Sequence, residues 1–275
     1  MTNLNRDKAP QQKIIGLLPA GGKAVRLAPL PFSKELYPIG FQPLDDSHNL
    51  RPKVVCHYLL EKMRFAGITE AYIVLRNGKW DIPAYLGDGT MLDMHLAYLI
   101  VHIPFGVPYT IDQAYPFVHD ALIAFGFPDI IFQPEDAFVQ LLKRQAAVKA
   151  DVVLGIFPTD EPNKWDMVDL DESGKIHKIV IKPRQSNLHY TWINAVWTSA
   201  FTQFIHEYLS ANDQDKIINK FPDQRELFIG NVIQAAIEKN MHVEGVLFPN
   251  GACLDIGTPN DLIKVLSNIS CKGDH

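Results

Sequence analysis

Apolar residues occur in short continuous runs separated by polar, glycine-containing stretches, a pattern typical of buried strands. The run Lys13–Pro19 (KIIGLLP) ends at Gly21-Gly22, which predicts a buried strand leading into a tight turn. Apolar residues recur at helical spacing across Lys53–Ala66, and Gly67 marks the end of this helix. A second buried strand is predicted at Ala71–Leu75 (AYIVL). The order strand, helix, strand predicts a parallel sheet.

The same patterns predict further elements along the chain. Strands are predicted at Leu99–His102, Ala121–Phe127, Val152–Phe157 and Val243–Phe248. Helices are predicted at Ala137–Ala150, Ala200–Leu209, Phe228–Lys239 and Pro259–Ser267. Thr258 is the expected N-cap of the last helix, with Pro259 at its first position. Alternating faces in Met167–Asp171 and Ile176–Ile181, on either side of the turn Glu172–Lys175, predict a β-hairpin. The elements together predict an α/β protein.

No internal repeat, low-complexity tract or linker interrupts this pattern. One domain is therefore predicted over residues 13–270, after a polar tail, residues 1–12 (MTNLNRDKAPQQ), that is expected to be disordered.

Composition narrows the possible partners and compartment. The 275 residues are 47% hydrophobic and 21% charged, and the net charge of −5 gives no electrostatic reason to expect a nucleic-acid partner. Three scattered cysteines are too few for a disulfide framework and favour a reducing compartment. No apolar run approaches the roughly 20 residues of a transmembrane helix. The expectation is a soluble cytoplasmic protein without a membrane partner.

The turn after the first strand is the leading candidate for chemistry. Backbone amides in Gly21-Gly22 can approach phosphate oxygens closely, because no side chain intervenes. A glycine pair alone fits a plain turn equally well. Arg26 and Lys34 follow within the same region, and their two cations match the charge of a triphosphate. The segment is therefore interpreted as a nucleotide-binding loop.

The segment PAGGKAVRLAPLPFSKELYPIG resembles the signature of the sugar-1-phosphate nucleotidyltransferases, most of all the glucose-1-phosphate thymidylyltransferases. Matching blocks follow in the family's order from about residue 13 to 269: Arg51-Pro52-Lys53, Ala66-Gly67-Ile68, Phe127–Phe132, Ile181-Lys182-Pro183, Arg225-Glu226-Leu227 and Leu254–Thr258. The resemblance implies a Rossmann-like fold with a mixed, mostly parallel sheet flanked by helices. It implies that an NTP (dTTP or UTP) and a sugar 1-phosphate react with Mg²⁺ to give NDP-sugar and pyrophosphate. Such proteins commonly form homo-oligomers.

The resemblance also implies roles for single residues. Arg26 would hold the triphosphate and stabilise the departing pyrophosphate, and Lys34 would contact the reacting phosphates. Asp129 and Asp255 would bind Mg²⁺, which prefers carboxylate oxygens together with phosphate. Taken singly, Asp129 also fits a turn residue and Asp255 a helix start. Only their joint order in the family pattern favours the functional interpretation.

Two further groups of residues are implied by position. Nucleotide binding is assigned to Ala20, Gly21, Gly22 and to His102, which lies near the family's base-contacting glutamine. Binding of the sugar phosphate is assigned to Lys182, Ile181 and Asp166. Taken alone, a lysine before a proline, such as Lys182, is more often a solvated surface lysine.

Several departures from the family pattern fall on these same positions. They are Ala24-Val25 for Gly-Thr, Ile130 for asparagine, Trp165-Asp166 for Tyr-Gly, Ile181 for glutamate, and Thr110-Ile111-Asp112 near the base. Losing a polar contact of this kind commonly costs about 1–3 kcal/mol. Two alternatives therefore stay open: a non-catalytic paralogue that binds a nucleotide or nucleotide-sugar, and a transferase for a non-sugar phosphate alcohol. The residues do not distinguish thymine from uracil.

Overall fold

A mixed β-sheet lies at the centre of the computed structural model, which describes residues 12–43, 49–101, 105–211 and 226–270. The strands are β1 Ile14–Ala20, β2 Pro38–Pro43, β3 Leu50–Val54, β4 Glu70–Arg76, β5 His95–Val101, β6 Leu122–Gly126, β7 Ile130–Gln133, β8 Val152–Pro158, β9 Met167–Leu170, β10 Ile176–Val180, β11 Tyr190–Trp197, β12 Val243–Leu247 and β13 Ala252–Asp255. The helices are α1 Val55–Phe65, α2 Asp81–Leu86, α3 Val107–Asp112, α4 Tyr115–Val118, α5 Ala137–Val148, α6 Ser199–Ala211, α7 Ile229–Glu238 and α8 Pro259–Ser270.

Nine of these strands form the central sheet. Its main path runs β10-β9-β11-β6-β1-β4-β5, and β8 joins β11 to β12. Strand β1 is parallel to both neighbours, β4 and β6, so their carboxyl ends meet at one edge of the sheet. Strand β11 is antiparallel to β6 and β8, which brings its amino end to that same edge. The predicted fold class, a mixed and mostly parallel sheet, is confirmed.

Apolar side chains bury both faces of the sheet. On one face, Ile111 of α3, Phe201 of α6 and Val232 of α7 pack against the strands. On the other, Leu59 of α1 and Leu141 of α5 do the same. Burial of this kind contributes about 25 cal/mol per Å² of apolar surface, so the two layers hold the helices to the sheet. A sheet covered on both faces explains the continuous apolar runs in the parallel strands.

A small third cluster of apolar side chains joins β2 and α1 to the C-terminal helix α8. In this cluster, Ile39 of β2 and Val55 at the start of α1 pack against Val265 of α8. Ile256, the residue after β13, packs with them. The predicted cap of α8 is confirmed, because the Asp261 N–H donates to Oγ1 of Thr258 at 3.2 Å. Helix α8 is thereby fixed beside the strand β13.

The other predicted elements also form, with ends shifted by a few residues; the β9–β10 hairpin is antiparallel as expected. The sequence patterns did not predict β11, although it lies in the middle of the sheet. Thr191 and Asn194 are fully buried within it, and such polar residues interrupt the apolar run that marks a buried strand. Residues 1–11 of the predicted tail and His102 lie outside the described residues. Within the described part of the chain, every helix is too short or too polar to span a bilayer.

Candidate active site

A cleft of about 600 Å³ opens at the edge of the sheet where β1 and β6 end. Gly21, Gly22, Arg26, Lys34 and Asp129, all predicted site residues, line it. The cleft lies where the chain leaves β1 between two parallel neighbours, which is the usual ligand position in open α/β sheets. Its volume is within the range of small-molecule sites.

The loop after β1 forms one wall of the cleft. Ala20 ends the strand and is buried, so it supports the loop from below and does not line the cleft. A Cβ at Gly22 would meet nothing within 4 Å, which leaves its backbone open to the cleft. Ala24 has φ of +51°, the left-handed region that favours glycine. A turn follows, in which the Leu27 N–H donates to the Ala24 carbonyl at 3.0 Å.

Lys34 reaches into the cleft from a 3-10 turn, Lys34–Leu36, and its Nζ forms an ion pair with Oδ2 of Asp129. Each of the two side chains is 16% exposed. Burial lowers the pKa of Lys34, but the charges of Asp129 and Glu35 outweigh it and hold that pKa above its usual value. Burial likewise raises the pKa of Asp129, and the Lys34 ammonium outweighs it, so the net direction is downward. Both groups are therefore charged near neutral pH.

Asp255 reaches the site through the two-stranded ladder of β7 and β13. Asp255 pairs with Ile130, and the Ile256 N–H donates to the Asp129 carbonyl at 3.3 Å. The two predicted metal ligands are thus neighbours across a ladder, although they lie far apart in sequence. Burial and the negative charge of Asp129 both raise the pKa of Asp255. The two carboxylates repel each other, and a cation between them would relieve that repulsion.

Arg26 approaches the same carboxylate over Gly257. A Cβ at Gly257 would lie 2.9 Å from Oδ2 of Asp255 and 3.0 Å from Nη2 of Arg26, so a larger residue would displace one of these two side chains. The Gly257 N–H donates to Oδ1 of Asp255 at 2.8 Å and orients it. Nζ of Lys164 lies 3.8 Å from Oδ2 on the far side. Arg26, Lys34 and Asp129 therefore line the cleft, and Asp255 lies beside them behind Gly257, in an adjoining pocket that Lys164 also lines.

The donor set suits a hard cation that arrives with a triphosphate. Asp129 and Asp255 supply carboxylate oxygens, and Mg²⁺ commonly takes one or two of these with substrate phosphates. In the described residues no three His, Cys, Asp or Glu side chains cluster as an all-protein metal site. The residues fit Mg²⁺ as an ion shared with substrate.

The three residues predicted to bind the sugar phosphate lie together, and they are not among the residues that line the cleft. A Cβ at Gly230, in the first turn of α7, would lie 2.4 Å from Oδ2 of Asp166 and 2.7 Å from Cδ1 of Ile181. Nζ of Lys182 lies 4.0 Å from the centre of the Phe228 ring. Their assignment to substrate binding stays a prediction, as does that of His102.

The model of the nucleotidyl transferase family matches residues 15–271 of this sequence. The chain belongs to this family. It is 24% identical over 253 residues to the low-salt glycan biosynthesis nucleotidyltransferase Agl11 of Haloferax volcanii, and 23% identical over 253 residues to a glucose-1-phosphate thymidylyltransferase of Streptomyces antibioticus. Each alignment covers 90% of this chain and 64% of the relative, so the chain spans less than two thirds of their length.

Solved structures share the fold of this chain. A crystal structure from Bacillus anthracis, designated a glucose-1-phosphate thymidylyltransferase and determined with sucrose, superposes with a TM-score of 0.77 at 18% identity, covering 93% of this chain and 95% of that one. The structure of a UDP-glucose pyrophosphorylase complexed with UDP-glucose superposes with a TM-score of 0.75 at 17% identity, covering 95% of this chain and 100% of that one. At these identities the likeness shows the fold alone.

Some residues of the site were not singled out from the sequence. Phe127 and Glu226 line the cleft, and Lys79 contacts Glu35 beneath it. Lys79 and Glu35 are 44 positions apart, and nothing local to either residue indicates the pairing. Gly106 and Thr110 line the cleft as well, in the segment where the sequence suggested that the base would be selected.

Ala24→Gly should stabilise this protein. Relief of the left-handed conformation yields about 1–2 kcal/mol, and the added freedom of the unfolded chain removes about 0.4–1 kcal/mol of it. We expect a net gain of roughly 0.5–1 kcal/mol in the free energy of unfolding, measured by urea denaturation. Ala28→Gly, in the same loop without positive φ, should lose stability. A loss in both variants would contradict the strain at Ala24.

Asp166→Asn should remove a pH-dependent loss of stability. Burial raises the pKa of Asp166 to about 6, against the opposing charge of Lys182. The folded state therefore holds the proton more tightly than the unfolded state, and stability falls as pH rises from about 4 to 6. The variant should exceed the wild type by about 1–2 kcal/mol above pH 7, and the difference should vanish near pH 4. Urea denaturation across this range measures it, and Asp169→Asn, exposed on the same hairpin, is the matched control.

Proposed function

We propose that the chain is a Mg²⁺-dependent nucleotidyltransferase that joins an NTP (dTTP or UTP) to a sugar 1-phosphate, giving NDP-sugar and pyrophosphate. The observation that carries the proposal is that Arg26, Lys34 and Asp129 line the cleft together with the glycine loop, and that Asp255 lies next to them beside Gly257. The names of the relatives in the family support the sugar phosphate as acceptor.

The reaction needs its negative charges to be neutralised, and it needs no nucleophile from the protein. A phosphate oxygen of the acceptor attacks the α-phosphorus, and the bond from that phosphorus to the bridging oxygen breaks to release pyrophosphate. Nucleophile and target are both anionic, so alignment and cations account for most of the catalysis. The lysine and arginine of the cleft supply two such cations next to two carboxylates.

Each residue has a proposed place in this step. Lys34 contacts the α-phosphate and the acceptor phosphate, exchanging its bond to Asp129 for phosphate oxygens. Arg26, exposed at the rim of the cleft, holds the pyrophosphate portion. Asp129 and Asp255 hold Mg²⁺, which would neutralise negative charge on the phosphates and orient them. The amides of Gly21-Gly22 bind the triphosphate as it enters.

The substrate assignments complete the proposal. Ala20 and His102 are assigned to binding of the nucleotide. Asp166, Ile181 and Lys182 are assigned to binding of the sugar phosphate. The proposed partners are therefore small molecules. Because sugar-1-phosphate nucleotidyltransferases commonly form homo-oligomers, further copies of the same chain are proposed as partners as well.

Pyrophosphate release across a panel of NTPs and sugar 1-phosphates tests the function. We expect turnover with at least one pair that contains dTTP or UTP, and loss of that turnover on chelation of Mg²⁺. Absence of product with every pair would overturn the proposal.

One observation favours a second candidate, a paralogue that binds nucleotide without turnover. Ala24 is strained and Val25 is 71% exposed, at the positions where the family signature has Gly-Thr. The loop thus lacks a hydroxyl donor and carries an extra Cβ beside the phosphate position. Calorimetry that shows nucleotide binding with no product would support this candidate, whereas steady product formation abolished by Asp129→Ala would exclude it.

A further inference from the structure

The residues on both sides of Lys34 are held by one connection, the corner between β4 and α2. Ser33 donates its N–H to Oδ2 of Asp81 at 2.6 Å and its hydroxyl to Oδ1 at 2.8 Å. Lys79 donates to both carboxylate oxygens of Glu35, at 2.7 and 2.8 Å. Lys34 lies between these anchors and points instead toward Asp129. The backbone of residues 33–35 is therefore fixed on each side of the reactive lysine.

Three of the four anchoring residues are buried, and the fourth, Asp81, is half-buried. Glu35 is 2% exposed, Lys79 8% and Ser33 9%. A buried ion pair seldom stabilises a fold more than apolar side chains of the same size would, because both charges lose their hydration. Stability alone therefore gives little reason for Glu35 and Lys79 at these positions.

The connection that carries the anchors is itself well supported. Strand β4 lies between β1 and β5 in the sheet, and Asp81 is the first residue of α2. A tight turn with φ of +94° at Gly78 places Lys79 next to the end of the strand. Lys79 and Asp81 thus extend from a short corner between two regular elements, which suits side chains that must hold another residue in place.

The charges along this line alternate. Lys79 contacts Glu35, Glu35 is adjacent to Lys34, and Lys34 contacts Asp129. When a phosphate takes the place of Asp129, the lysine loses its only ion-pair partner among the described residues. The anchors at Ser33 and Glu35 are independent of Asp129, so they would keep the lysine in place during that exchange.

We propose that Lys79 and Asp81 are positioning residues, which fix the segment 33–35 so that Nζ of Lys34 is presented to the cleft in a preorganised geometry. The proposal rests on the proposed function in that Lys34 is taken to act on phosphates. Preorganised donors stabilise a transition state without reorganisation during the reaction, and small misplacements of such a group are costly.

The test compares four variants of the full chain. Lys79→Met removes the ion pair, and Asp81→Asn weakens the other anchor. The double variant Glu35→Gln/Lys79→Met removes both charges and leaves no buried charge unpaired, so it keeps the test valid if Lys79→Met does not fold. Lys13→Met is the matched control, because it deletes a lysine from an exposed ion pair with Glu70. Thermal unfolding establishes that each variant is folded.

Two measurements are made on every variant. The first is steady-state kinetics with the best substrate pair; we expect kcat to fall about tenfold or more, with the KM for NTP unchanged. The second is the rate of acylation of the Lys34 amine in ligand-free protein, followed by peptide mass spectrometry. Lys34 is largely shielded beside Asp129, so its acylation should become several-fold faster in the three anchor variants and remain unchanged in Lys13→Met.

Both changes are required. Folded anchor variants with unchanged kcat, or with unchanged acylation of Lys34, would overturn the proposal. If the wild type releases no pyrophosphate with any pair, the proposed function fails, and the acylation rates still decide whether Lys79 and Asp81 position Lys34.

Discussion

Replacement of Lys34 by alanine should lower kcat/KM by about two to three orders of magnitude, the usual effect of deleting one preorganised donor at a reacting centre. The ammonium is the cation nearest to Asp129 in the cleft, and its pKa is held above the usual value by Asp129 and Glu35 despite burial. The lysine therefore remains charged across the neutral range. Steady-state pyrophosphate release measures the effect.

The matched control is Lys23→Ala. Lys23 lines the same cleft, so its replacement by alanine removes the same charge there. The Lys23 side chain is exposed and has no role in the proposed steps. We expect a modest rise in the KM for NTP and little change in kcat. Equal losses in the two variants would show that net charge in the cleft matters and would contradict a specific role for Lys34.

Asp129→Asn and Asp255→Asn should each abolish most activity at ordinary Mg²⁺ concentrations and raise the Mg²⁺ needed for half-maximal rate. An asparagine oxygen is a weaker ligand than a carboxylate, and losing a ligand of one shared ion commonly costs about tenfold to a hundredfold or more. Since both residues hold one ion, the double variant should be little worse than the worse single variant. Kinetics over a Mg²⁺ series, with calorimetry of Mg²⁺ and NTP binding, provides the measurement.

Asp120→Asn, exposed before β6, is the control for the change in charge. It should leave the Mg²⁺ dependence unchanged. Asp129→Asn should in addition destabilise the ligand-free protein, because it leaves the Lys34 ammonium without its partner; we expect about 1–3 kcal/mol. Additive losses from two fully independent carboxylates would contradict a single shared ion.

Much of the fold was predictable because its signals are local. The run Lys13–Pro19, the helix that ends before Gly67 and the hairpin after Asp166 each carry their own periodicity or turn residues. Strand β11 carries no such signal. Thr191 and Asn194 are buried within it, and Asn194 lies beside Gly126 of β6 and Gly155 of β8. A Cβ at Gly155 would lie 2.0 Å from Oδ1 of Asn194, so Asn194 needs a glycine at this position of β8. The sequence around either residue does not indicate this pairing.

The site divides in the same way. The sequence by itself determined the chemistry of the loop after β1, because glycines, an arginine and a lysine lie within one short segment whose order also marks the family. The family resemblance already grouped Asp129 with Asp255, and only the tertiary structure decided how these two meet and that Lys79 and Asp81 lie beside Lys34. Asp255 reaches Asp129 through the β7–β13 ladder, and Lys79 and Asp81 reach the flanks of Lys34 from another corner of the sheet.

The tertiary structure also decided the surroundings of the residues that the resemblance assigned to the sugar phosphate. Asp166 and Ile181 pack against the start of α7 and are not among the residues that line the cleft with Arg26 and Lys34. The physical reason is the same in each case. Hydrophobic periodicity and turn chemistry act between near neighbours in the chain, whereas strand pairing and buried ion pairs join residues whose separation leaves no trace in either segment alone.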